Sequence, residues 1–223
     1  TMRLLLLTSI LITLSPIPAL ADTLLVPAEY PTIQAALDAA FDLDEVRVAP
    51  GTYRGAGNRA LTFHGRSVTL VSEAGPELTI IDAEEVEVWF SLVDLERDFS
   101  VIDGLRMSKG GDSQGGGIYN NGSYPIIRKC VFRFNRAFVP SYREGGAIYY
   151  RSSYGVGRIE NCRFESNSAD YGGAIWNWGG AYMPVIVDCE FLGNISLHSG
   201  GAIYLTSNAD GVIADCLFWG NEA

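Results

Sequence analysis

The spacing of hydrophobic positions changes along this chain. Between Thr32 and Phe41 ("TIQAALDAAF"), Ile33, Ala36, Leu37, Ala40 and Phe41 recur at helical intervals, which predicts an amphipathic helix of about three turns. From Glu45 onward the period shortens to two. "EVRVAPGTY" (Glu45–Tyr53) alternates like a strand and ends in a Pro-Gly turn, and "SVTLVS", "TIID", "WFSLVD" and "FSVIDGLRMSKG" supply further short strands. Beyond residue 114 the apolar stretches are three to five residues long, rich in β-branched and aromatic side chains, and separated by turn residues. No 3.6-residue period remains there, which excludes helical repeats.

The short strands repeat. Cysteines stand at 130, 162, 189 and 216, with spacings of 32, 27 and 27. Two residues after each comes Phe132, Phe164, Phe191 or Phe218, and five after each comes Asn135, Asn167, Asn194 or Asn221. Three residues before each cysteine is Ile127, Ile159, Ile186 or Ile213. Farther upstream a Gly-Gly pair precedes Ile118, Ile148, Ile175 and Ile203, each followed by an aromatic residue. A period near 27 residues is the signature of a solenoid.

Each copy offers three short strands: Gly-Gly-x-Ile-aromatic, the Ile strand, and Cys-x-Phe. Residues two apart share a strand face, so Cys and Phe point one way and the residue between them the other. Lys129, Asn161, Asp188 and Asp215 precede the cysteines; Asn and Asp tolerate left-handed backbone, so this is a predicted tight corner. The fold class expected is all-β: a single-stranded right-handed parallel β-helix with three short strands per coil and an N-terminal amphipathic capping helix. Like side chains then stack as ladders, and the corner asparagines can bond along theirs. The cysteines leave three readings open: a stacked thiol ladder, one or two inter-coil disulfides, or a metal site, for which no His accompanies them.

Composition adds the setting. Of 223 residues, 48% are hydrophobic and 19% charged, enough for one domain with an ample core. Arg3, the apolar run Leu4–Leu14 and Ala19-Leu20-Ala21 read as a secretory signal peptide over residues 1–21. The run is too short to span a bilayer as a helix, and Pro16 and Pro18 would break a buried one. The mature chain is therefore expected to span 22–223, with a cap and irregular coils over 22–113 and regular repeats over 114–223. No later segment is long enough to anchor it in a membrane. It halts within a repeat, at "CLFWGNEA", so further sequence is expected after Ala223. The net charge of −10 argues against nucleic acid as a partner, since phosphate contacts need a basic surface. Charge is uneven: residues 115–167 hold eight basic and three acidic side chains, while 168–223 hold six acids and no Lys or Arg.

"VPAEYPTIQAALDAA…VRVAPGTYRG", "TIIDAE" and "VIDGLRMSKG" resemble the cap and early coils of right-handed parallel β-helix proteins of the pectin-lyase-like superfamily. The GGAIY…C-x-F-x-x-N units are similar to repeats of polymorphic outer-membrane proteins. The resemblance implies a secreted or cell-surface bacterial β-helix, and it is weak for activity because such folds host many chemistries. Lyases of this superfamily use calcium-binding Asp clusters with an Arg or Lys base; its hydrolases pair Asp residues with His-Gly and Arg-x-Lys. Neither pattern occurs here, so catalytic residues stay unknown, and neither a metal nor a cofactor is assigned. The nearest candidates are Asp82, Asp103, Asp112, Asp170 and Asp210, with His64 and His198 at expected surface turns. "GDSQGGGIY" is no nucleotide loop, lacking the Lys and the following helix.

One feature exceeds core building. If the Gly-Gly isoleucines point inward, Tyr119, Tyr149, Trp176 and Tyr204 line the outer face, with Asn120, Tyr150, Asn177 and Trp178 expected to enrich the same region. Outward aromatics beside amides suit stacking against sugar rings; equally, a Tyr ladder can simply stabilise the sheet. Arg128, Arg133, Arg136, Arg143, Arg151, Arg158 and Arg163 either attract an acidic polysaccharide or form a solvated face. The leading expectation is a monomeric β-helix scaffold with a polysaccharide or cell-surface glycan as partner. The alternatives are a polysaccharide lyase or glycoside hydrolase, and a passenger fragment of an autotransporter-type surface protein.

Overall fold

The fold is described from a computed structural model, over residues 21–85, 90–92, 100–112, 114–137, 143–151, 156–178, 183–206 and 211–223. The expected signal peptide lies outside them except for Ala21, as does Asp210.

Every strand pair is parallel and joins one coil to the next. The Ile strands form an eight-stranded sheet running from Thr23–Val26 through Glu45–Val48, Thr69–Ser72, Val101–Asp103, Ile126–Arg128, Arg158–Glu160 and Val185–Val187 to Ile213–Ala214. A seven-stranded sheet starts at Gly51–Tyr53 and carries the Cys-x-Phe strands Val131–Arg133, Arg163–Glu165, Glu190–Leu192 and Leu217–Trp219. The Gly-Gly strands form a five-stranded sheet from Phe90–Leu92 to Ile203–Leu205. The three expected strands per coil are all present. A fourth strand follows Gly110, Asn135, Asn167 and Asn194 and builds a four-stranded sheet: Gly111–Asp112, Arg136–Ala137, Ser168–Tyr171 and Ile195–Ser199.

Register holds throughout. Ile127, Ile159, Ile186 and Ile213 pair in succession, as do Phe132, Phe164, Phe191 and Phe218. The ladders extend into the irregular coils with other apolar residues: Leu24, Val46, Leu70 and Ile102 lead up to Ile127, and Tyr53, Ile81 and Met107 up to Phe132. The phenylalanine rings stack 4.7–4.8 Å apart and within 5° of parallel. Ring spacing thus equals the strand spacing that the backbone imposes. Lys129, Asn161, Asp188 and Asp215 all adopt φ near +52°, so the left-handed corner before each cysteine is real.

After the next corner the asparagines form a hydrogen-bonded column. Asn135 Nδ2 donates to Asn167 Oδ1 at 3.0 Å, Asn167 Nδ2 to Asn194 Oδ1 at 2.9 Å, and Asn194 Nδ2 to Asn221 Oδ1 at 2.9 Å. Each also holds backbone of the preceding coil's corner, as Asn167 does with Asn135 N–H and Phe132 O, which satisfies groups that the tight turn would orphan.

The cysteines are free and stacked, three of them buried and Cys216 half-buried. Burial pushes the Cys162 thiol well up, and the thiolate is the reactive form. A thiol-specific reagent is therefore expected to leave Cys162 unmodified in the native chain and to modify it once guanidinium unfolds the stack. Fast native labelling of Cys162 would place the ladder outside the core.

The helix is shorter than the sequence implies: it spans Ile33–Ala39, capped by Thr32, whose hydroxyl accepts from Ala35 N–H at 3.2 Å. Ile33, Ala36, Leu37 and Ala40 are buried in the core that underlies the first coils, and the helix packs on Thr23–Val26 and Glu45–Val48. Phe41, expected on the same face, is 75% exposed. Ala40 leaves the helix at ψ 150°, and the Asp44 carboxylate takes the Phe41 N–H at 2.7 Å, turning Phe41 outward.

Candidate functional site

The aromatic strip depends on the glycine pair before it. Gly172 sits at φ +65°, where a Cβ would lie 2.2 Å from Ile175 O; at Gly173 a Cβ would lie 2.2 Å from the carbonyl of Gly201 in the next coil. Two glycines in succession are therefore required, one for the left-handed turn and one for close passage of backbones. They deliver Ile148 and Ile175 fully inward and the next residue outward.

On that outer face Tyr119 stacks on Tyr149 at 5.1 Å, and Tyr149 on Trp176 at 4.8 Å. Tyr204 continues the strand register but turns its ring to Tyr171 at 5.4 Å. Accessibility is uneven. Tyr149 and Trp176 are 2% and 4% exposed, Tyr119 and Tyr204 are half-buried, and Trp178 is 45% exposed, edge-on to Trp176 and under the Arg151 guanidinium at 4.8 Å. Burial, with Tyr119 and Glu144 nearby, pushes the Tyr149 phenol up to about 12.

Asn120, Asn177 and Tyr150 do not join this face. Each lies two residues beyond its isoleucine and so points inward with it, at 0–1% exposure. Asn120 closes its own turn, donating to Ser123 O at 2.9 Å and accepting from Ser123 N–H at 3.0 Å. The Tyr150 hydroxyl accepts from Gly157 N–H at 3.0 Å. Among the described residues, both polar atoms of the Asn177 side chain lack a partner.

The acidic candidates are engaged in ion pairs. Asp82 lies 3.0 Å from Arg54 and 3.3 Å from Lys109; burial works against its charge, but the Glu84 N–H and these two cations win, and its carboxyl sits below the usual range. Asp103 holds Arg128 at 2.7 Å and Asp170 holds Arg143 at 3.5 Å. The Asp112 side chain is outside the described atoms. His64 meets Asp38 at 3.0 Å beside the cap helix, and His198 tilts against Tyr171. The arginine run is largely neutralised: Arg133, Arg158 and Arg163 pair with Glu165, Glu160, and both Glu165 and Glu190. Among the described residues, no group of three or more His, Cys, Asp and Glu is placed to hold a metal.

Sequence reasoning passed over a second surface at the asparagine corner. The residue before each corner asparagine is left-handed: Phe134, Ser166, Gly193 and Gly220, as is Lys109 before Gly110 in the preceding coil, at φ between +53° and +64°. A bulky residue adopts this conformation at a cost of about 1–2 kcal/mol. Phe134 nevertheless adopts it at φ +58°, with half its surface in solvent. Comparing the residue before Asn across coils was the signal that could have found it.

Against known proteins, residues 161–177 and 188–206 match the Chlamydia polymorphic membrane protein repeat. These stretches cover the corner, Phe strand and Gly-Gly strand of two consecutive coils. No curated protein and no solved structure matches the chain.

Proposed function

We propose that this parallel β-solenoid is a bacterial cell-surface scaffold, of the kind carried as the passenger of an autotransporter, acting as a monomer. The observation that carries this reading is the pair of consecutive coils matching a polymorphic membrane protein repeat, set in an unbroken stack of in-register ladders. Such a stack makes a stiff rod whose flank is displayed outward. The signal expected over residues 1–21 and the acidic surface support the same setting. Among the described residues no helix is long and apolar enough to cross a membrane.

Glycan contact on the aromatic sheet is a second reading. Trp178 favours it, being exposed and flanked by Arg151, with Tyr119 and Tyr204 half-open on the same face. Tyr149 and Trp176 would support those side chains from beneath. A lyase or hydrolase reading draws no support from Asp82, Asp103 or Asp170, whose carboxylates are committed to cations.

Antibody labelling of intact cells of the producing bacterium, before and after external protease, tests the scaffold reading. Surface label that protease removes is the expected result. Protein confined to the cytosolic fraction would overturn it.

A further inference from the structure

Phe134 stands at the mouth of a groove of about 380 Å³ whose walls include Glu85, Arg136, Ser166 and Ser168. The groove lies where the phenylalanine sheet turns through the asparagine column into the short four-stranded sheet. Asn135 Nδ2 and Oδ1 are consumed within the column, so the groove's polarity comes from its other side chains.

Those side chains are uncommitted. Among the described residues, Arg136 has no carboxylate partner, unlike Arg128, Arg133, Arg143, Arg158 and Arg163 around it. The Glu85 carboxylate is likewise unpaired, although its own backbone N–H is held by Lys109 O at 2.8 Å. The Arg133 guanidinium lies 4.6 Å over the Phe134 ring and fixes it in place, and half of the residue still faces solvent. A second hollow of about 200 Å³ shares Arg136 and Ser168 and continues along the short sheet toward Ser196 and Leu197.

The chemistry is specific in what it excludes. An anion would be drawn to Arg136 and repelled by Glu85, and a cation the reverse. A ligand that satisfies both carries hydroxyls, which can donate to a carboxylate and accept from a guanidinium, and has an apolar face to set against an aromatic ring. We propose that this groove binds a neutral pyranose unit of a glycan, with a sugar face against Phe134 and ring hydroxyls shared between Arg136 and Glu85. Ser166 and Ser168 add hydroxyl partners, and the adjoining hollow extends the site to a short oligosaccharide. The left-handed Phe134 is then explained: the corner accepts a conformational penalty to hold a ring where Ser166 and Gly193 serve in the next coils.

This site is distinct from the aromatic sheet and rests on the surface reading only for access to its ligand. Its test is performed on purified protein, so mislocalisation in the cell would not affect the outcome. The secreted chain is screened on an array of neutral and carboxylated glycans, and the best hit is titrated against the wild type, Phe134→Asn, Arg136→Gln and Tyr119→Ala. Asn is chosen because it tolerates left-handed backbone and removes only the ring. The expected result is a neutral glycan whose Kd weakens at least about tenfold in Phe134→Asn and in Arg136→Gln. Tyr119→Ala should retain wild-type affinity, and the melting temperature of Phe134→Asn should not fall. The proposal is overturned if no neutral glycan binds at millimolar concentration, if binding is restricted to carboxylated glycans, or if Phe134→Asn binds as the wild type does. Loss of binding in Tyr119→Ala alone would move the contact to the aromatic sheet.

Discussion

Phe164→Asp should lower the unfolding midpoint by about 10–20 °C at neutral pH, the shift that a loss near 5 kcal/mol gives in a chain of this size. Phe164 is fully buried between Phe132 and Phe191, with ring centroids 4.8 Å away on either side. Removing the ring alone costs about 3–5 kcal/mol, because flanking coils are fixed by strand pairing and cannot collapse into the gap. The carboxylate adds the penalty of an unpaired charge where no cation reaches it. Burial would raise its folded-state pKa above the unfolded value near 4. The folded state then binds more protons, so the charge penalty is absent below about pH 4 and grows as pH rises. Relative to Phe164→Ala, the Asp variant should therefore regain stability on acidification. Thermal unfolding by circular dichroism from pH 4 to pH 7 measures both effects. An unchanged midpoint, or no pH slope relative to Phe164→Ala, would mean that Phe164 is not inside the stack.

The same stacking explains why much of the fold was legible. Where one residue type recurs at the coil length, position and orientation follow together: Cys162 under Cys189, Ile159 under Ile186, and left-handed Asn161 beside left-handed Asp188. The fourth sheet was illegible for the converse reason. No residue type recurs in all three of Arg136–Ala137, Ser168–Tyr171 and Ile195–Ser199, and the small buried side chains of Ala137, Ala169 and Ser196 give the sequence no marker to repeat. Tyr119, Tyr149, Trp176 and Tyr204 stand in one strand register, but a shared register is not exposure. Asn120 and Asn177 were grouped with it by adjacency in sequence, although strand alternation puts them with Ile118 and Ile175. The Phe134 groove combines residues from several coils, and no single repeat displays it.

The asparagine column supplies the second large effect. Asn167 Oδ1 accepts from the Asn135 N–H and from Asn135 Nδ2, both at 3.0 Å, while its Nδ2 donates to Phe132 O at 3.0 Å and to Asn194 Oδ1 at 2.9 Å. Asn167→Ala takes all four bonds away inside a corner from which solvent is excluded. With about 1–3 kcal/mol for each buried group left without a partner, a loss of about 3–5 kcal/mol is expected. Asn194 makes the equivalent contacts, to Asn167 N–H, Asn167 Nδ2 and Phe164 O, and is as fully buried. Asn194→Ala should therefore cost a similar amount. Asn167→Asp fills the same space yet cannot donate, and it sets a carboxylate against Asn194 Oδ1; at neutral pH it should be no better tolerated than alanine. Urea unfolding of the three variants, with hydrogen exchange followed at the Asn135 amide, separates hydrogen bonding from packing. Small losses at positions 167 and 194, or a benign Asn167→Asp, would reduce the column to space filling and leave the strand ladders to hold the corner alone.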